Sequence, residues 1–270
     1  MKRYIATILL IALLTTLLPQ LSLVARAATY SGTCGDNLTW TLNTDTGLLE
    51  IKGSGEMTKW SSSENPPWYS YRSSIKMLIA YSGVKSIGFS AFYECTALTS
   101  VTIPDSVNSI LDGAFCGCSN LSSVTIPSGV TWIGYEAFAL CSSLSSISVA
   151  EENLKYCSDS CGILFNKAKT RLIQCPGAFK GNYTIPNGVT SIGMDAFRGC
   201  KSLTGVTIPD SVTNINIPCE STMPKAIMLK KKTTILLRLL QKLPRIRHMK
   251  LQLMTLMIPT IILSDYHLPA

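Results

Sequence analysis

The chain has 270 residues, 46% of them hydrophobic, which allows one or two domains with a sizeable core. Its formal charge of +8 is unevenly spread: residues 1–215 hold fifteen Lys/Arg against fourteen Asp/Glu, and residues 216–270 hold nine against two. The basic balance thus belongs to the tail, and the charge gives no ground for a nucleic-acid partner of the folded region. At the start of the chain, Lys2 and Arg3 precede a mostly apolar run from Ile5 to Leu18. Pro19 and the small residues Ala25 and Ala27 follow, so residues 1–27 read as a secretory signal peptide. The apolar run is shorter than the roughly 20 residues that cross a bilayer, and no transmembrane helix is expected in the mature chain.

Residues 28–82 carry strand and turn signals without repeats. Leu38 to Leu42 alternates apolar and polar, Asn43 to Gly47 supplies turn residues, and Leu48 to Ile51 returns, which predicts a β-hairpin capping the rest of the chain. Trp60, Pro66, Pro67, Trp68, Tyr69 and Tyr71 then form an aromatic loop. Its rings suit a plug against the first repeat, or, in the alternative, a carbohydrate site at Trp60, Trp68, Tyr69 and Tyr71.

From residue 83 to 215 one phrase returns at a 23-residue step: AFYECTALTSVTIP from Ala91, AFCGCSNLSSVTIP from Ala114, AFALCSSLSSISVA from Ala137 and AFRGCKSLTGVTIP from Ala196. Leu at fixed offsets in a repeat of 20 to 29 residues predicts a leucine-rich solenoid, in which each coil buries its apolar face against its neighbours. Leu98, Val101 and Ile103 alternate with Ser100 and Thr102, so a short strand turns apolar side chains inward and small polar ones outward. Pro104 ends that strand, and the segment from Ala114 to Cys118 is expected to return as a helical turn. The outward hydroxyls Ser100, Thr102, Ser123, Thr125, Ser146, Ser148 and Thr207 form the candidate binding face. Cys95, Cys118, Cys141 and Cys200 share one repeat position and read as a ladder of buried, unpaired thiols.

The third repeat departs after Val149, and the pattern resumes at Tyr183. The interval, near 150–182, reads as a hairpin insertion built from Ile163–Phe165, a polar turn at Asn166–Thr170, and Arg171–Gln174. Such an insertion is expected to project from the solenoid. Cys157, Cys161 and Cys175 lie within it and are candidates for disulfide pairing. Beyond Ile215 the repeat fails, and residues 216–270 contain no glycine although the preceding residues hold all 18. This atypical basic tail reads as a frameshifted translation of further repeats, or as a membrane-surface segment around Lys230–Leu240.

Both histidines, His248 and His267, fall in the tail, which leaves the repeats without an imidazole for nucleophilic catalysis or zinc. No nucleophile elbow, phosphate loop or dinucleotide fingerprint occurs. Glu151, Glu152, Asp105, Asp112 and Asp210 are carboxylates without a pairing pattern, and Asp105 and Asp210 sit in repeat turns where Asp is ordinary. No enzyme activity, metal or cofactor is expected.

The LxxVTIPxxVxxIGxxAFxxC unit, read from Leu98 to Cys118 and again from Leu121 to Cys141, resembles the BspA-like leucine-rich repeats of bacterial surface proteins, of the Firmicutes type. SGTCGDNLTWTLNTDTGLLEIKGSGEM, NPPWYSYRSSIK and ILFNKAKTRLIQCPGAFKGNYTIP are similar to the leader and the recurrent interruption of those proteins. The resemblance implies a secreted or cell-surface adhesin, with host or microbial surface proteins or glycans as partners. A carbohydrate-binding module and an inactive fragment of a larger surface protein stand as alternatives.

Overall fold

The computed structural model describes residues 28–60 and 65–216. Three antiparallel strands open the chain: β1 (Thr29–Gly35), β2 (Leu38–Asn43) and β3 (Leu48–Gly53). The predicted hairpin is β2–β3, with Leu42 opposite Leu49 and Trp40 opposite Ile51. The alternation sends Leu38, Trp40 and Leu42 into the core. β1 was not signalled by the sequence, because TYSGTCG does not alternate and its first five residues are exposed. A short 3-10 helix, Tyr69–Ser74, leads into the repeats.

Each coil then lays down two strands. They are β4 (Met77–Ala80) and β5 (Ser86–Ile87), β6 (Ser100–Thr102) and β7 (Ser109–Ile110), β8 (Ser123–Ile126) and β9 (Trp132–Ile133), followed by β10 (Ser146–Val149). The insertion supplies β11 (Tyr156–Ser158), β12 (Leu164–Asn166) and β13 (Arg171–Gln174). The last coils hold β14 (Gly181–Thr184), β15 (Ser191–Ile192), β16 (Leu203–Thr207) and β17 (Asn214–Ile215). Parallel pairing at the repeat step joins Met77 to Ser100, Ser123 to Ser146, Ser86 to Ser109 and Ser109 to Trp132. The cap is the first rung of the same stack, since β3 pairs in parallel with β4. The chain is a leucine-rich solenoid of parallel strands, one coil upon the next.

Aromatic rings run through the core along the coil axis. Trp68, Phe92, Phe115 and Phe138 stack nearly parallel, with centroids 5.5, 5.3 and 5.6 Å apart. Trp68 heads this column, wholly buried, and its indole N–H donates to the Ala91 carbonyl at 2.7 Å. Offset rings at this spacing add to the burial of their area. Beside the rings, the thiols of Cys118 and Cys141 donate to the carbonyls of Phe92 and Phe115, each at 3.1 Å, one coil back.

The Ala-Phe segment is not a helix. Phe92 and Cys95 close an i to i+3 turn, but the chain enters the left-handed region twice per coil, at Ser90, Gly113, Glu136 and Asp195 and again at Glu94, Gly117, Leu140 and Gly199. A left-handed residue breaks the i to i+4 ladder, so the segment folds as a corner. Ahead of it, Gly134 is required by packing, since a Cβ there would run into the backbone nitrogen and the carboxylate of Asp112 one coil below.

The insertion is built into the wall and does not project as the sequence suggested. β12 and β13 form the predicted hairpin, with Leu164 opposite Gln174, and β11 adds an antiparallel strand on its outer side. β13 then pairs in parallel with β15, Arg171 beside Ser191, so the hairpin ends as a solenoid rung. Buried apolar side chains accordingly fall into two clusters that meet at Ile163 and Leu164.

The cysteines are free thiols among the described residues, including the three disulfide candidates. Cys175 is buried and lies against Cys200, whose thiol donates back toward the Cys175 carbonyl, so it continues the ladder instead of pairing. The signal-peptide and tail readings concern residues 1–27 and 216–270, and of these only Asn216 lies within the described residues.

Candidate binding surfaces

Six of the seven predicted hydroxyls come together on one face. Ser100 and Thr102 on β6, Ser123 and Thr125 on β8, and Ser146 and Ser148 on β10 stand in rows one coil apart, because alternate strand residues face outward. None of their side-chain oxygens is engaged in a hydrogen bond among the described residues. The neighbouring column behaves differently. The hydroxyls of Thr99, Ser122 and Ser145 donate to the carbonyls of Lys76, Thr99 and Ser122 at 3.0–3.4 Å, and so serve the fold. Thr207 is separated from this patch. The outer side of β10 meets the insertion, where the Ile147 N–H donates to the Gly162 carbonyl, and Thr207 lies on β16 paired with Thr184 of β14.

The aromatic loop is an interior feature. Trp60 is 8% exposed and Trp68 not at all, and both rings contact each other edge to face. Their apolar area serves the end of the core, so neither presents a face to a sugar. Tyr69 and Tyr71 are half-buried, Tyr71 against Tyr30 with centroids 4.2 Å apart.

A cleft of about 290 Å³, which the sequence did not reveal, opens where the insertion interrupts the second row of strands. β9 has β7 on one side and no strand on the other. In place of a strand, the Tyr156 hydroxyl accepts the Ile133 N–H at 2.9 Å and donates to the Thr131 carbonyl at 3.3 Å. Tyr156 stands one period after Ile133, where the next rung would begin. Asn153 holds it there. Its amide donates to the carbonyls of Pro127 and Val130, while its oxygen accepts the N–H of Lys155 and of Tyr156. Trp132 and Tyr135, 55% and 46% exposed, lie on the cleft together with Lys155 and Arg171.

A clasp engages Glu136, which lies on the cleft lining. Arg198 reaches back across the insertion to Glu136 at 2.7 Å, while wholly buried Asp195 lies 3.8 Å from the same guanidinium. Burial, and then the neighbouring Asp195 carboxylate, push the Glu136 carboxyl above its ordinary range despite Arg198. The carboxylates weighed as catalytic candidates have structural partners or open surroundings. Asp105 accepts the N–H and hydroxyl of Ser128, Asp112 accepts the Tyr135 N–H, and Glu151 and Glu152 are exposed. Among the described residues no three His, Cys, Asp or Glu side chains are grouped to hold a metal ion. No described helix is long and apolar enough to cross a membrane.

Coil after coil at a 23-residue step, with strands in parallel rows and a thiol ladder, defines a leucine-rich repeat protein. The BspA type leucine rich repeat region matches residues 68–180 and 180–225 in six copies, and the chain belongs to that family. Proteins built on such repeats generally work as interaction surfaces without catalysis. Similar solved structures include a leucine-rich repeat protein from Eubacterium ventriosum, at 27% identity and TM-score 0.45, over 70% of this chain and 62% of that one. A leucine rich cell surface protein from Faecalibacterium prausnitzii shares 22% identity at TM-score 0.47, over 69% of this chain and 72% of that one. The pneumococcal vaccine antigen PcpA shares 19% at TM-score 0.48, over 70% and 66%. This chain therefore spans less than two thirds of the Eubacterium protein. No curated protein matches it.

Proposed function

We propose that this chain is an exported, surface-displayed adhesin that binds host or microbial surface proteins or glycans through the hydroxyl face of β6, β8 and β10, without chemistry of its own. The observation that carries the reading is the division of labour between adjacent hydroxyl columns. Thr99, Ser122 and Ser145 are consumed by the fold, whereas Ser100, Thr102, Ser123, Thr125, Ser146 and Ser148 keep their hydrogen-bonding capacity. Small hydroxyls give many weak bonds and no strong anchor, so tight attachment comes from several copies acting together.

The test is saturable binding of the full chain to immobilised matrix proteins and a glycan panel, with Ser123→Arg and Ser148→Arg as paired variants. Both positions are exposed, so the fold should tolerate them. Binding should be abolished by the pair while the melting midpoint is kept. Retention of full binding by the double variant would overturn the assignment to this face.

A further inference from the structure

We infer that the cleft between β9 and β13 is a second binding site, for a saccharide that carries a carboxylate, and that it works independently of the hydroxyl face. The cleft volume of about 290 Å³ is close to the lower end of the roughly 300–1,000 Å³ typical of small-molecule sites. A second hollow, of about 320 Å³, adjoins it and shares Tyr135, Glu136 and Met194, with Tyr93 on its other side. Together the two hollows form a track along which Trp132, Tyr135 and Tyr93 present exposed rings. Pyranose rings carry a face of C–H bonds that packs on such rings while their hydroxyls stay hydrated, and two adjoining hollows suit more than one sugar residue.

The charges choose among saccharides. Lys155 and Arg171 both lie on the cleft, and neither side chain has an acidic partner among the described residues. Glu136, on the same lining, is already neutralised by Arg198. The cleft therefore presents two unspent cations, and a sugar carboxylate supplies the negatively charged acceptor that a neutral sugar lacks. An extended peptide is disfavoured by the backbone. The free edge of β9, where a peptide would add as a strand, is occupied by the Tyr156 hydroxyl.

The test is titration of the full chain, followed by calorimetry and tryptophan fluorescence, with a hyaluronan hexasaccharide, an oligogalacturonate and sialyllactose. Carboxyl-reduced hyaluronan and lactose are the neutral comparators. At least one acidic probe should bind saturably, weaken at least tenfold on carboxyl reduction or loss of the sialic acid, and weaken further with salt. Trp132→Ala should cost at least tenfold and Lys155→Ala several-fold, with melting midpoints kept, since both side chains are exposed. Lys155→Ala also serves if Trp132→Ala fails to fold. Silence from all three acidic probes, equal binding of neutral and acidic sugars, or indifference to both substitutions would overturn the inference. Ser123→Arg with Ser148→Arg should leave these titrations unchanged, which separates failure of this site from failure of the hydroxyl face.

Discussion

Replacing Phe115 by alanine tests whether the aromatic column holds the coils together. The ring is wholly buried, 5.3 Å from Phe92 and 5.6 Å from Phe138, at interplanar angles of 13° and 6°. Removing a buried Phe costs about 3–5 kcal/mol, because the lost transfer energy is joined by a cavity that neighbours fill only in part. Here both neighbours are themselves stacked rings and cannot collapse without breaking their own contacts, which favours the upper half of that range. Against a total stability of about 5–15 kcal/mol the loss is large. At about 2–4 °C per kcal/mol for a chain of this size, the melting midpoint should fall by roughly 10 °C or more. Urea unfolding measures the free-energy loss and a thermal scan the midpoint, each followed by circular dichroism and by tryptophan fluorescence, since Trp68 caps the same column 5.5 Å from Phe92. Tyr93→Ala, at an exposed neighbouring position, should stay within about 0.5 kcal/mol. A Phe115→Ala loss below about 1 kcal/mol, in the range of ordinary surface changes, would refute the column as a structural element.

Three further outcomes concern the thiols, the clasp and the insertion. Burial pushes the Cys95 and Cys141 thiols up to about 12, so at about pH 8 they should stay protonated and unlabelled while exposed Cys161 reacts; labelling of the native ladder, mapped by mass spectrometry, would contradict this. Because the folded state raises the Glu136 carboxyl, it binds that proton more tightly than the unfolded chain does, and this group's contribution to stability falls as pH rises through its titration. The melting midpoint of the native chain minus that of Glu136→Gln should thus decline from about pH 4 to 8, and a flat or rising difference would show that the clasp does not titrate in this sense. Asn153→Ala should cost about 2–4 kcal/mol by chemical denaturation, because it removes four hydrogen bonds made by one wholly buried amide; a loss under about 0.5 kcal/mol, the level of an ordinary surface change, would mean that water replaces the amide.

The repeat makes most of the architecture legible in the sequence. Leu98, Leu121 and Leu144 recur at the same offset and are all buried, because a solenoid asks each coil for the same side chain at the same height. The corner was harder to read. Ala-Phe with two residues before Cys looks like the start of a helix, yet positive φ at Glu94, Gly117 and Leu140 turns it out of helical geometry, and residue types as different as these carry no common signal.

Sequence alone determined what the coils share: the inward Leu and Val, the thiol ladder and the outward hydroxyls, all of which follow from period and alternation. Tertiary structure alone decided what happens where the period breaks. Whether the hairpin projects or joins the wall depends on β13 pairing with β15. The cleft depends on Tyr156 replacing a missing strand, and the clasp on bringing Glu136 beside Arg198 from 62 residues away. Periodicity is local information repeated, so a single coil announces it. An interruption has no second copy to compare with, and its meaning is set by contacts between residues far apart in the chain.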